Sequence, residues 1–322
     1  MTRHLLCLTI DTDPDGLSGV RHNRGVLEWN GLARVGRLLD ELDALSASMA
    51  ARMPVTWFVR ADGQLRDILG DTLYLINEFS ELWDKVTACS HELAWHPHLY
   101  RQPARSAAPC LISDPLEACE ELTMLWEDVR TVGSAWRSFR NGEGWHCAET
   151  LALIEELGFV NDSTALPGLK GDDNPMDWRG SPNHPFFPLT DSPCTAGPER
   201  RLLELPMNTW LVNAPYDTSA KRRYMNPAVH EAIFRKSVDV WSESFSGQEK
   251  GFYVWVLVCH PDEVMEQQKP SPLFAYSPAS LRRNLQYLCQ AIQRNGQHFE
   301  FANLAQAGDK WRAHYCRQPG QH

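Results

Sequence analysis

Short, almost wholly apolar runs recur along this chain, each separated from the next by a longer amphipathic stretch, and this alternation constrains the fold more than any other feature. Runs such as Leu5 to Ile10, Val55 to Val59 and Phe252 to Val258 leave no polar face for water. A parallel strand covered by helices on one side and a core on the other requires that pattern. Further candidate strands are a segment near Glu92 to Trp95, Trp136 to Phe139, Phe159 to Asn161, Leu202 to Leu205 and His298 to Phe301. Helical spacing of apolar residues fills Leu32 to Met49, Leu65 to Trp83, Leu116 to Val129, Ala148 to Leu157, Ala228 to Ser244 and Pro278 to Arg294. Repeated strand and helix units in this number suit a closed or nearly closed barrel better than an open sheet. The expected class is therefore α/β, a distorted (β/α) barrel of about seven parallel strands.

A chain of 322 residues lies within the range of one such barrel, and 43% hydrophobic residues suffice for its core. A single domain over residues 1–322 is expected. The stretch 167–198 interrupts the alternation with Pro, Gly and Asp and carries Trp178, Phe186 and Phe187, which predicts a long ordered loop. With Asp172, Asp173 and Trp178 it is the candidate substrate lid.

The formal net charge of -10 argues against a nucleic-acid partner, and the densest basic cluster, Lys221-Arg222-Arg223, is small enough to sit on a solvated helix or loop. Nine cysteines without a C-x-x-C pair indicate neither a disulfide framework nor a zinc ribbon. No apolar run approaches a membrane span, and the first one meets acidic residues too soon for a signal peptide. A cytoplasmic protein without a membrane partner is the expectation. No oligomeric state is implied.

The chemistry-bearing residues gather at strand ends. In Thr9-Ile10-Asp11-Thr12-Asp13-Pro14, side-chain alternation points Asp11 and Asp13 the same way, and in a parallel barrel the ends of strands form the catalytic mouth. One carboxylate there can bind a metal while the other takes a proton from water, although a solvated acidic turn uses the same residues. In His91-Glu92-Leu93-Ala94-Trp95-His96-Pro97-His98, the pair His96 and His98 faces one way. With Asp13 it would form a three-ligand site with a position left for water, as a catalytic metal needs. A hydrogen-bonded loop would also accommodate these histidines. Arg140 follows an apolar run and would orient a carboxylate or bind substrate, and His260 ends the strand at Phe252 to Val258, placed to protonate a leaving amine.

In order and spacing these segments resemble the polysaccharide deacetylases of the NodB-homology, carbohydrate esterase family four type. The resemblance rests on Asp11-Thr12-Asp13, His91 to His98, Arg140-Asn141-Gly142, Asp162-Ser163-Thr164 and Leu257-Val258-Cys259-His260-Pro261, roughly residues 5 to 304. It implies Asp11 as general base, Asp13, His96 and His98 as ligands of a divalent metal, zinc being the first expectation, and His260 as general acid. Arg140 would orient Asp11, and Asp162 would hold or tune His260. Two departures stand out. The family often has adjacent aspartates and two histidines four apart, whereas Thr12 separates the acids here and Tyr100 stands four residues after His96. His91 is therefore an alternative to His98 as ligand.

The implied reaction is hydrolysis of an N-acyl group, acetyl or formyl, from an amino sugar or related small amide. Trp57, Trp95, Trp145, Trp178 and Trp210 would stack on a sugar if they lined the mouth, or else serve as core anchors. Two other readings use the same residues: a metal-dependent glycosyltransferase built on Asp-x-Asp, and a non-catalytic carbohydrate-binding barrel.

Overall fold

The computed structural model describes residues 2–15, 27–49, 51–101, 109–172, 174–245, 252–264 and 277–315. Its strands are β1 (Arg3–Asp11), β2 (Val55–Val59), β3 (Glu92–Trp95), β4 (Tyr100–Arg101), β5 (Cys110–Leu111), β6 (Ser138–Phe139), β7 (Asn161–Asp162), β8 (Leu203–Glu204), β9 (Thr209–Val212), β10 (Lys221–Tyr224), β11 (Phe252–Cys259) and β12 (His298–Phe301). The main sheet runs β11-β1-β2-β3-β6-β7-β8, every pairing parallel. Along one edge of β1, β12 pairs with Arg3 to Leu6 and β2 takes over from Leu8 to Asp11.

The sheet curls into a distorted (β/α) barrel, as the alternation predicts. Among the described residues no ladder joins β8 to β11. The gap is bridged instead by Val256 N donating to Asn208 Oδ1 at 2.7 Å and Val258 N donating to Met225 O at 2.9 Å.

The apolar runs are two-faced. Leu6, Leu8 and Ile10 pack outward with Val55, Trp57, Trp255 and Leu257 in the core beneath the helices, whereas Leu5 and Cys7 pack inward with Phe58, Ala94, Val254 and Val256. Odd-numbered β1 residues therefore point into the barrel, and the same phase carries Asp11 to the inner face at the strand's C-terminal end. Backbone bonds run one residue past the strands, His96 N to Val59 O and Arg140 N to Trp95 O, both at 3.0 Å, so the residues at the rim are held as firmly as the strands themselves.

The expected helices are present, Pro278–Arg294 with the bounds expected and the others with shifted ones. Leu32 to Met49 divides at Val35 into Asn30–Arg34 and Gly36–Ser48. Leu65 to Trp83 divides into Gly63–Leu69, Tyr74–Glu78 and Ser80–Ala88, the first ended by left-handed Gly70. A further helix, Leu304–Tyr315, closes the opposite end of the barrel. Its Leu304 N donates to Thr56 Oγ1 at 2.8 Å and its Ala305 N to Glu92 Oε2 at 2.9 Å, which satisfies two of the free amides of its first turn. Lys221-Arg222-Arg223 lies on neither a helix nor a loop: it belongs to β10, paired antiparallel with β9. Among the described residues no helix is long and apolar enough to cross a membrane.

Candidate active site

Six of the residues singled out from the sequence, Asp11, Asp13, His96, His98, Arg140 and His260, line one cleft of about 490 Å³ at the C-terminal ends of the strands. Arg140, 1% exposed, is fixed by three elements. Its Nη1 donates to Asp11 Oδ1 at 2.5 Å and to Thr9 Oγ1 at 3.0 Å, its Nε donates to Ser163 O at 2.8 Å, and its guanidinium lies 4.0 Å above the Phe58 ring. A planar fork with this many bonds leaves Asp11 little rotational freedom.

Asp13, His96 and His98 present ligand atoms that all lie within 4.8 Å of one another, and all three side chains are buried. His98 Nε2 stands 2.9 Å from Asp13 Oδ1, 3.2 Å from His96 Nε2, and His96 Nε2 stands 3.8 Å from Asp13 Oδ2. Donors bonded at about 2.1 Å to a tetrahedral ion sit roughly 3.4 Å apart, so the three fit such an ion. Asp13 Oδ1 is buried, with His98 Nε2 at 2.9 Å and Arg60 Nη1 at 3.6 Å. A buried carboxylate is costly unless a cation meets it. His96 Nδ1 donates to Arg140 O at 2.8 Å, which turns Nε2 toward Asp13.

Asp62 braces the site from behind. It accepts from His98 N at 3.1 Å, pairs with buried Arg60 at 2.5 Å and caps the helix Gly63–Leu69 through Leu65 N. Arg60 Nη1 also lies 3.6 Å from Asp13 Oδ1. Tyr100, four residues after His96, lies parallel to the His98 ring at 6.1 Å.

Gly142 is required by close approach. A Cβ there would lie 2.6 Å from Cδ2 and Nδ1 of His98. Gly142→Ala is therefore expected to displace the imidazole and weaken divalent-ion binding about 10–100-fold, the usual effect of disturbing a ligand's support. Competition against a chromophoric chelator would measure it.

Two expectations are corrected. The carboxylate that holds His260 is Glu263, not Asp162: Glu263 Oε2 accepts from His260 N at 2.9 Å and lies 3.0 Å from His260 Nδ1, and Asn226 Nδ2 donates to it at 2.8 Å. Asp162 instead accepts from Thr164 at 2.6 Å and lies 3.2 Å from His146 Nε2. Burial first, and then the Asp162 charge, push the carboxyl of neighbouring Glu204 well above the usual carboxylate range. His91 is the second correction. It precedes β3, where its Nδ1 accepts from Val55 N at 2.8 Å, with the whole strand between it and His96.

Burial pulls the His260 imidazole down, but Glu263 and then Asp13 and Asp11 outweigh burial and raise it to about 10. Its Nε2 faces the cleft, 3.6 Å from Asp13 Oδ2.

No tryptophan lines the cleft among the described residues. Trp57, Trp95, Trp145 and Trp178 are buried anchors, and Trp210 packs against the outer core. Tyr224 is the aromatic residue in the lining, beside Leu166, Met176 and Asn174. The 167–198 loop thus walls the cleft through Asn174 and Met176, with Trp178 pinned by its Nε1 bond to Gly144 O. Asp172 is exposed, and Asp173 lies outside the described residues. Glu143, unassigned from the sequence, also lines the cleft with a left-handed backbone (φ +57), a strained state for a residue with a side chain.

No family model and no curated protein matches the sequence. Among solved structures, a candidate glycoside hydrolase/deacetylase from Parabacteroides distasonis superposes over 98% of this chain and 72% of its own, at 15% identity and a TM-score of 0.61. The chain shares that fold. An allantoinase matches at 14% identity over 97% of this chain and 90% of its own, TM-score 0.49. A candidate polysaccharide deacetylase involved in O-antigen biosynthesis from Bordetella bronchiseptica matches at 15% over 90% of each chain, TM-score 0.38. Identities this low speak to fold and not to activity.

Proposed function

We propose that this chain is a divalent-metal-dependent hydrolase that removes an N-acyl group, acetyl or formyl, from an amino sugar or related small amide. The observation that carries the proposal is the convergence of Asp13, His96 and His98 beside an Arg140-held Asp11 and a Glu263-held His260. Zinc is the first candidate for the ion, because two imidazoles and a carboxylate are its usual donors. When bound, the ion supplies Lewis-acid polarisation of the acyl carbonyl and of water.

The protein's own groups do the rest. Asp11, oriented by Arg140, accepts the proton of the attacking water, and His260 delivers a proton to the departing nitrogen as the carbon-nitrogen bond breaks. Acid and amine leave as products, and the two side chains exchange their protons with solvent for the next turn. A transferase built on Asp11 and Asp13 would leave the His260 and Glu263 pair without a task.

A screen of N-acyl sugars for released acetate or formate, with and without chelator, tests the proposal. Release that stops on chelation and returns with added metal is expected. Release indifferent to chelation would remove the ion, and no release from any acylated amine would remove the hydrolase.

The role of Glu263 carries its own expectation. His260 is raised above its ordinary value of 6.5, so its acid form is complete below that value and lost as pH climbs through about 10. Its contribution to folding stability follows the same course. Glu263→Gln removes the main raising influence and should move the alkaline limb of kcat/KM down by about one unit or more. A pH-rate profile in which the limb stays put would assign that limb to another group.

A further inference from the structure

The cluster Lys221-Arg222-Arg223 takes no part in the chemistry above, yet the fold places it next to the cleft. Tyr224 lines the catalytic cleft and also a second cavity of about 340 Å³, whose lining includes Arg222, Arg223 and Tyr216. The apolar lining is formed by Met225, Val229, Ile233 and Phe234. Alternation along β10 puts Arg222 on the same face as Tyr224, about 7 Å away along the strand. Met225 O accepts from Val258 N at 2.9 Å, which ties this hairpin to the strand that ends in His260.

Positive charge at this cavity is in excess. Asp217 occupies one guanidinium nitrogen of Arg223, at 2.6 and 2.7 Å, while Arg223 Nε is buried without a hydrogen-bond partner. Arg222 passes over Gly168, where a Cβ would collide with its Nε. Arg222 Nη1 lies 3.4 Å from Thr209 Oγ1, and among the described residues this arginine forms no ion pair. In a chain of net charge -10, two arginines lining one cavity against the Asp217 carboxylate are a local reversal of sign. Arg222 is exposed and Arg223 half-buried, so an anion held there keeps part of its hydration and the attraction is screened by salt.

We propose that the second cavity is a subsite for an anionic group, carboxylate or phosphate, on the part of the substrate remote from the amide, with Arg222 as its main charge partner. The proposal rests on the hydrolase reading of the adjoining cleft and narrows its substrate to acidic acyl-amino sugars.

Calorimetric titration of the full chain with N-acetylglucosamine, N-acetylglucosamine 1-phosphate and N-acetylmuramic acid separates the neutral, phosphate and carboxylate cases. At least one acidic probe should bind about tenfold or more tightly than the neutral sugar, as a charge-assisted contact allows, and the advantage should shrink with salt. Arg222→Gln should reduce that advantage to about twofold or less, with Arg222→Lys retaining part of it. Equal binding of all three probes, binding of none, or an advantage that survives Arg222→Gln would overturn the subsite. Acidic probes bound through Arg222 but never deacylated would leave the subsite standing and contradict the hydrolase reading. Deacylation of the neutral sugar without acidic preference would do the reverse.

Discussion

Asp13→Ala is expected to abolish divalent-ion binding and to lower kcat/KM for N-acyl hydrolysis by about three to four orders of magnitude, since carbonyl polarisation supplies several kcal/mol and each 1.36 kcal/mol is tenfold. The size of the effect follows from what surrounds this one carboxylate. His98, His96, His260 and Arg60 all lie within 2.9 to 3.8 Å of it, each bearing or able to bear positive charge. Burial alone would raise Asp13, but His98 first and then His96 outweigh it and hold the carboxyl well below the ordinary carboxylate range. Without the anion those groups face one another buried, and removing one partner from a buried charge cluster typically costs about 3–5 kcal/mol of stability. Asp13→Asn preserves the shape and tests the charge alone. Its ion content and turnover, read beside a thermal melt, distinguish a lost ligand from a lost fold.

His260→Ala is expected to lower kcat about 10²–10⁴-fold, the range for a positioned general acid, while leaving ion content unchanged. The imidazole lies close to Asp13 but outside the three-ligand group, and its second nitrogen is committed to Glu263. Loss should be larger for substrates with poor leaving amines than for activated anilides, because an activated leaving group departs with less help from a proton. Equal loss across leaving groups would point to a binding role for His260.

The strands were legible because burial on both sides forces a continuous apolar run, as at Leu5 to Ile10 and Phe252 to Val258. Helix Leu304–Tyr315 was not, because its buried face is built from Leu304, Ala307, Gly308 and Trp311, where two small residues blur the 3.6 periodicity. Breaks within Leu65 to Trp83 were signalled by Gly70 and overridden by the apolar spacing on either side.

At the site, alternation sufficed for Asp11 with Asp13 and for His96 with His98, since neighbours two apart on an extended chain share a face. Partner identity did not follow from the same rule. Asp162 has the right chain position and the wrong neighbours, being taken up by Thr164, His146 and Glu204. Glu263 was available as a signal, three residues beyond His260 in the turn that follows the strand, where a side chain folds back onto the preceding amide. Asp62, which supports His98 through its backbone amide, has no sequence signature beyond its helix cap.

Metal analysis of the purified full chain beside Asp13→Ala, His96→Ala and His260→Ala tests the central claim most directly. About one divalent ion per chain is expected in the native protein and in His260→Ala, and essentially none in the two ligand variants. A native protein without stoichiometric metal after reloading, or an Asp13→Ala variant that binds as much as the native chain, would contradict it.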